Sequence, residues 1–520
     1  MSVSSAPRAV AWTPSRLRGT RARFASARGV APRRGLCHGP SACFGGEDAN
    51  LAADKSLGYH DLLDEKVRRT RALFGDLLPP GGLEVYASPK TTRFRHRCRF
   101  AVVRENEGGG GVEKGASDAD DDACDEDGQT TIGKTKKNEL RYALFEKGNV
   151  AALDVYSDFD LFPPASHAIA DVMPKLLRVL NEEDSASNTH TERTSNTQSG
   201  TNTNPLTDGL SAVGFLANRR GDVVVTLWNA SEAKIKENEP AYPLTQQTWD
   251  IHACRLVDAL KLTGLVSRRK GKVWVASNGT GKVFEEMRVP RLESALRNNT
   301  HTNPSPESDT IILSIVEGAF SNPNPDVAEC TAGWLRETVA TALSCREELD
   351  ERATGERGQK SKKKSEDVSL VELYCGNGTH TVNLSPFFHK VTAVEIEPRL
   401  CDACLENFAL NGIENARVMA LPAETFSEER IDDTEIPTND DFVLVDPPRA
   451  GLDPVTLRLV ASYRTIIYIA CDSNSLVRDF VDRGLAETHS IKRSAVFDHF
   501  PGSKFVEVVV WLERRRDASA

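Results

Sequence analysis

Hydrophobic and polar positions along this chain keep two rhythms. In the first part, "YHDLLDEKVRRTRALFGDLL" and "WDIHACRLVDALKLTG" repeat their apolar residues at helical spacing and predict helices. Between them, "HRCRFAVV", "YALFE", "NVAALDV", "AVGFLA" and "DVVVTLW" are short runs rich in β-branched and aromatic residues, which predict strands. That mixture implies an α+β domain over residues 57–310. From Asp326 the pattern becomes a strict alternation. Helix "DVAECTAGWLRETVATAL" precedes strand "SLVELY"; strands "KVTAVEI", "ARVMAL", "DFVLVD" and "TIIYIA" follow, separated by amphipathic helices such as "PRLCDACLENFALNG" and "DPVTLRLVAS", and "SIKRSAVF" and "FVEVVVWLE" close the series. Short buried strands alternating with helices predict a doubly wound, mostly parallel sheet over 311–515, with ligands at the carboxyl ends of its strands. Four polar stretches, 105–138, 183–209, 295–309 and 347–367, are too poor in apolar residues to offset the entropy of ordering them and are expected to be disordered insertions.

Composition changes this picture in three places. The first 46 residues carry eight Arg, many Ser and Ala and no acid, the composition of a transit peptide for a chloroplast or mitochondrion. Without those eight cations the net charge falls from −10 to −18, so any nucleic-acid partner must be held by local patches. "RFRHRCR" (93–99) and "SRRKGK" (267–272) are the available ones. Eleven cysteines lie scattered without a disulfide framework, and the one CxxC, Cys401 to Cys404, falls on a helical pattern that turns it toward the core. Nothing approaches the roughly 18 apolar residues of a membrane span. No metal and no second copy of the chain are called for, and a monomer is expected.

The distinctive residues stand at strand ends. "LYCGNGT" (373–379) is a Gly-x-Gly turn leaving the first strand of the second domain, where backbone can approach a ligand closely. Glu395 ends the next strand, where an acid hydrogen-bonds ribose hydroxyls; the pair reads as an adenosine site, which suits a dinucleotide or S-adenosylmethionine. Asp446 ends the strand before "PPRAGL", a rigid turn. Cys471 ends the following strand, just before a helix expected to start near Ser473, whose positive end favours a thiolate. Glu507 lies inside an apolar final strand, where desolvation is expected to raise its pKa. A thiolate and a base together suit one problem. Carbon 5 of a pyrimidine becomes nucleophilic when a thiolate adds at carbon 6, and a base must then remove the carbon 5 proton so that the thiol can leave.

"LYCGNG", "VEI", "DPPRAGL", the strand-end Cys471 and "FDHFP" followed by Glu507 resemble the RNA (uracil-5-)-methyltransferases. "YHDLLDEKVRRTRALF", "SPKTTRFRHRCRFAV" and "LFEKG" resemble their tRNA branch, which makes ribothymidine in the T loop. The resemblance implies a Rossmann-like class I S-adenosylmethionine-dependent methyltransferase domain preceded by an α+β RNA-recognition domain. It implies Cys471 as nucleophile and Glu507 as base, with Asn322, Tyr374, Thr379, Glu395 and Asp446 against S-adenosylmethionine. The expected partner is tRNA, with ribosomal RNA as the alternative, and Arg93, Arg95 and Arg97 are expected to hold the loop's phosphates. Methylation of cytosine at carbon 5 is disfavoured, because Pro448 is followed by Arg449 where that chemistry places a cysteine. The chain departs from the family pattern in "FSNPN" (320–324), where Asn322 replaces a Gln, in Asp472 beside the nucleophile, in Phe505 where a His usually stands two places before the base, and in Ser503 for a Thr. Those changes leave room for a second reading, a tRNA-binding chaperone with weakened catalysis.

Overall fold

The computed structural model describes residues 58–104, 139–146, 149–152, 162–192, 204–229, 245–269, 271–291, 308–354, 368–432 and 442–515. The transit-like segment 1–46 and the acidic insertion 105–138 lie outside the described residues.

Helix α1 (Tyr59–Phe74) leads into strand β1 (Glu84–Tyr86). The α+β block follows. Its strands are β2 (Arg97–Arg104), β3 (Leu140–Glu146), β4 (Asn149–Ala152), β5 (Leu210–Ala217), β6 (Val223–Asn229), β7 (Gly264–Arg269) and β8 (Lys272–Val275), and they form one sheet ordered β4-β3-β2-β5-β6-β7-β8. Helices α2 (His167–Glu192) and α3 (Gln246–Leu260) bury Leu176, Leu180, Trp249 and Leu256 against it. Several elements go beyond the sequence pattern, β1, β7 and β8 among them. Helix α2 was not predicted, and it runs to Glu192, into the stretch expected to be a disordered insertion; the described residues resume at Asn204, and Leu206 is wholly buried in the same core. A two-stranded ribbon of β9 (Lys282–Pro290) and β10 (Ser308–Val316) was also not foreseen.

The second block begins with helix α4 (Pro325–Thr354), which extends eight residues into the 347–367 stretch expected to be disordered. Strands β11 (Ser369–Leu373), β12 (Lys390–Glu395), β13 (Ala416–Ala420), β14 (Phe442–Val445), β15 (Thr465–Ala470), β16 (His489–Phe497) and β17 (Glu507–Arg514) then join β1 in a sheet ordered β1-β16-β17-β15-β14-β11-β12-β13. Only β17 runs antiparallel to its neighbours. Continuous apolar runs such as "FVLV" and "TIIYIA" are buried at every position, as a sheet covered on both faces requires. Helices α5 (Thr379–Leu384), α6 (Pro398–Leu410), α7 (Ala423–Asp432), α8 (Pro454–Ser462) and the short α9 (Ser473–Val477) follow the parallel strands. Helix α8 starts cleanly, with Pro454 in its first turn and the Asp453 carboxylate accepting from the backbone N–H of Val455 and Thr456 at 2.9 and 3.0 Å. Helix α1 packs into the core on one face of the sheet through Leu63, Val67 and Phe74. Strand order reverses between β11 and β14, so the crevice beyond their carboxyl ends is where such a sheet binds ligands.

Candidate active site

Antiparallel pairing sets Ile466 opposite Leu512 and Ala470 opposite Val508. The pairing stops there, and Cys471 and Glu507 are the next residues beyond it on the two chains, Glu507 itself pairing with Phe497 on its other side. The sheet therefore sets at one strand end two residues that lie 36 apart in the chain. Cys471 lines a cavity of about 440 Å³ whose walls include Lys66 and Arg69 of α1, Arg449, Lys504 and Phe505. The Phe505 ring has two cations near it, the Arg449 guanidinium at 4.7 Å and the Lys504 ammonium at 5.4 Å from its centroid. Asp472 is the N-cap of α9, its carboxylate accepting from the Asn474 backbone N–H and side-chain amide at 3.0 Å each. The helix starts at Ser473, as expected, and Asp472 caps its end.

Glu507 has a partner that the sequence did not reveal. His499, wholly buried in the turn after β16, places Nε2 3.1 Å from Glu507 Oε1. Burial pushes the Glu507 carboxyl up, but His499 and then His380 outweigh it and hold the group below the usual carboxylate range. The expected rise is corrected: the strand is apolar, yet two imidazoles face it. Asp446 goes the other way, raised well above the ordinary value by burial and then by the charges of Glu507 and Glu372. His380 is pushed down to about 4 by burial, against the pull of Glu507. Carboxylates driven apart in this way mark a base and a group kept protonated.

The cofactor positions gather around the Gly-x-Gly turn. Gly376 has φ +58° and nothing within 4 Å of where a Cβ would stand; Gly378 has φ +77°, and a Cβ there would meet Cys404 Sγ at 2.5 Å. Glu395 locks the turn to the end of β12, accepting from the backbone N–H of Gly376 at 2.9 Å and of Glu397 at 2.8 Å. Beside it Ile396 is 65% exposed, an apolar face that an adenine ring would cover. An open backbone cradle, a ribose-matching carboxylate and an uncovered isoleucine fit S-adenosylmethionine. Thr379 donates to Asn377 Oδ1 at 2.8 Å. Tyr374, at φ +63°, is half-buried against the core, and burial followed by the charges of Asp453 and Glu424 raises its hydroxyl. The shorter Asn322 keeps its amide in use: Oδ1 accepts from the Asn324 N–H at 3.1 Å and Nδ2 lies 3.3 Å from His499 Nε2.

The RNA-facing set divides. Arg97 lies with its guanidinium 5.4 Å from the centroid of Phe320, which is 53% exposed, while Nη1 donates to the Ala319 carbonyl at 2.6 Å. Arg93 is half-buried, with Nη1 3.4 Å from the Ala165 carbonyl. Arg95 is a correction: it is 6% exposed and donates Nε to the Arg97 carbonyl, because its backbone bridges to Ala165 instead of continuing the exposed strand. The second basic patch is also largely engaged. Arg268 grips both carboxylate oxygens of Glu317 at 2.9 Å, and Arg269 reaches the Pro205 carbonyl and Asp208. Cys401 and Cys404 are both buried, and Cys404 joins the core beneath the cofactor turn.

This sheet order, with its reversed last strand and a cradle at the switch point, defines a Rossmann-like S-adenosylmethionine-dependent methyltransferase fold. Residues 358–515 match a family model described as tRNA (Uracil-5-)-methyltransferase. A tRNA/tmRNA (uracil-C(5))-methyltransferase of Acinetobacter baumannii is 27% identical over 467 residues, covering 88% of this chain and 99% of that protein. One from Ectopseudomonas mendocina is 29% identical over 468 residues, covering 88% and 97%. Among solved structures, the Pyrococcus abyssi tRNA (uracil-54, C5)-methyltransferase in complex with S-adenosyl-L-homocysteine shares the fold, with TM-score 0.51 and 15% identity over 88% of this chain and 84% of that one. Over residues 358–515 the chain is thus similar to the tRNA (uracil-5-)-methyltransferase family, and relatives named for that activity match it over most of its length.

Proposed function

We propose that this protein methylates carbon 5 of a uridine in tRNA, in the T loop, with S-adenosylmethionine as methyl donor. The observation that carries the reading is that Cys471, in the wall of a cavity, and Glu507 stand one residue beyond the last pair of β15 and β17. Relatives named for tRNA, matched over nearly their whole length, favour tRNA over ribosomal RNA. Glu395, Asp446, Asn322, Tyr374 and Thr379 are the residues that would hold the cofactor. When bound, it supplies an electrophilic methyl group to the activated ring carbon.

The target base must leave the folded loop to reach Cys471, and Phe505 with its two nearby cations is a surface on which an extruded ring can stack. Cys471 adds through sulfur to carbon 6 of the uracil, and the ring electrons move to carbon 5. After methylation Glu507 takes the carbon 5 proton, the electron pair of that bond reforms the ring double bond, and the carbon–sulfur bond breaks to release the thiolate. Arg93 and Arg97 serve the RNA backbone.

Incubation of the full chain with S-adenosylmethionine and unmodified tRNA, followed by nucleoside analysis, tests the reading. The expected product is 5-methyluridine. Cys471→Ala abolishes transfer, and Glu507→Gln accumulates an RNA adduct that survives a denaturing gel. Transfer that persists in the alanine variant, with no adduct in either protein, would overturn the assignment.

A further inference from the structure

His499 Nε2 stands among three groups: Glu507 Oε1 at 3.1 Å, Thr331 Oγ1 at 3.3 Å and Asn322 Nδ2 at 3.3 Å. The roles of the last two are fixed by their other bonds. The Thr331 hydroxyl hydrogen goes to the Val327 carbonyl at 3.2 Å, which leaves Oγ1 an acceptor. The Asn322 carbonyl oxygen accepts from the Asn324 N–H, which turns its amide hydrogens toward the ring. So the nitrogen has one neighbour suited to each protonation state. When Nε2 carries a proton it can donate to Thr331 and Glu507; when bare it can accept from Asn322 and from a protonated Glu507. A purely structural histidine needs only one of these arrangements.

We infer that His499 is the proton partner of Glu507, receiving at Nε2 the proton that Glu507 takes from carbon 5 of the substrate. This rests on the functional reading above. The O–H bond formed at Glu507 breaks, an N–H bond forms at His499, and the carboxylate is restored beside the departing thiolate. The physical gain is direction. An ordinary imidazole outcompetes an ordinary carboxylate for a proton by roughly a hundredfold, so the proton is held away from carbon 5 while sulfur leaves. Solvent recovers it after the RNA dissociates, through Glu507, which is 17% exposed whereas His499 is not exposed at all. The charged and titratable groups around the pair are His380 on α5, Asp446 after β14, Glu372 on β11 and the Lys66–Asp498 ion pair between α1 and the turn carrying His499.

The position was hidden in the sequence. The usual histidine two places before the base is absent, and its apparent replacement by Phe505 looked like a loss; the imidazole arrives instead from eight residues upstream, across the β16–β17 turn.

The test uses the full chain, S-adenosylmethionine and unmodified tRNA carrying tritium at uracil carbon 5, in single turnovers. Methyl transfer and tritium release are followed together between about pH 5 and pH 8, a range centred on the ordinary imidazole pKa. In the unmutated protein release keeps pace with transfer at neutral pH and lags at the acid end. His499→Gln can still donate a hydrogen bond to Oε1 but cannot take up a proton. Its expected behaviour is release slowed by tenfold or more relative to methyl transfer, so that methylated adduct accumulates, and a lag that no longer changes with pH. Release keeping pace with transfer in the glutamine variant overturns the relay alone. If that variant does not fold, the unmutated protein decides: release that keeps pace at every pH overturns the proposal, and an acid-side lag supports it. Absence of any methyl transfer by the unmutated chain overturns both the relay and the functional reading.

Discussion

Glu372 is wholly buried on β11, accepting a hydrogen bond from Thr381 on one oxygen while the other has no hydrogen-bond partner among the described residues. Burial, reinforced by the charge of Glu395, raises its pKa to about 8 against the stabilising effect of Thr381. A carboxyl whose folded pKa exceeds its unfolded one binds an extra proton on folding, so its contribution is full below the unfolded value and is lost as pH rises through about 8. Glu372→Gln keeps the shape and removes the ionisation. Thermal melts are expected to show the two proteins alike near pH 5.5 and the variant several degrees more stable near pH 9, a difference on the order of a few kcal/mol. If the unmutated protein melts at the same temperature at both pH values, Glu372 is not held protonated. The same logic separates what the residues themselves reveal from what they hide. That Cys471, Asp446 and Glu395 end strands is written in alternating apolar runs. The protonation of Asp446 and Glu507 is set by burial and by neighbours such as Glu372 and His499, whose proximity only the folded sheet creates.

At the scale of elements, α1 is the part of the N-terminal region that walls the catalytic cavity, and it is pinned by one buried ion pair. Lys66 and Asp498, neither of them exposed, meet at 2.9 Å, and Lys66 also donates to the Phe500 carbonyl at 3.1 Å. Burial pulls the lysine pKa down while Asp498 lifts it, leaving it lowered overall. Replacing Lys66 with Met removes one partner and strands a buried carboxylate, which typically costs roughly 3–5 kcal/mol. Denaturant unfolding should show that loss, and Lys66→Met with Asp498→Leu should recover much of it. Equal destabilisation by the single and double variants would mean that α1 is held by its apolar face alone. Sequence periodicity located α1 and most strands of both sheets, because their apolar spacing is set by local geometry. It missed α2, whose pattern is interrupted by Pro174 and fades into a polar tail. It also missed that Leu206 anchors a polar-looking stretch, since one buried leucine barely changes the mean of a window.

Across the whole molecule the difficulty is charge. A chain with net charge −10 has to bind a polyanion, so attraction must be local and the number of phosphates contacted small. Sequence alone nominated three arginines between residues 93 and 99. The fold withdraws Arg95 into the interior and engages Arg268 and Arg269 with carboxylates and carbonyls, which leaves Arg97 over the exposed ring of Phe320 as the most substrate-like contact of the N-terminal domain. A cation and an uncovered aromatic ring side by side make opposite demands on salt. A phosphate contact contributes about −0.7 to −0.9 to the slope of log affinity against log salt, whereas stacking contributes none and is worth about 1–3 kcal/mol per base. Arg97→Ala is therefore expected to weaken tRNA binding and flatten the salt dependence by nearly one unit. Phe320→Ala is expected to weaken binding about tenfold or more with the slope unchanged. Filter binding of unmodified tRNA from about 50 to 200 mM salt distinguishes them. Identical slopes in the parent and Arg97→Ala would place the phosphate contacts elsewhere, and full affinity in Phe320→Ala would remove the ring from the RNA path.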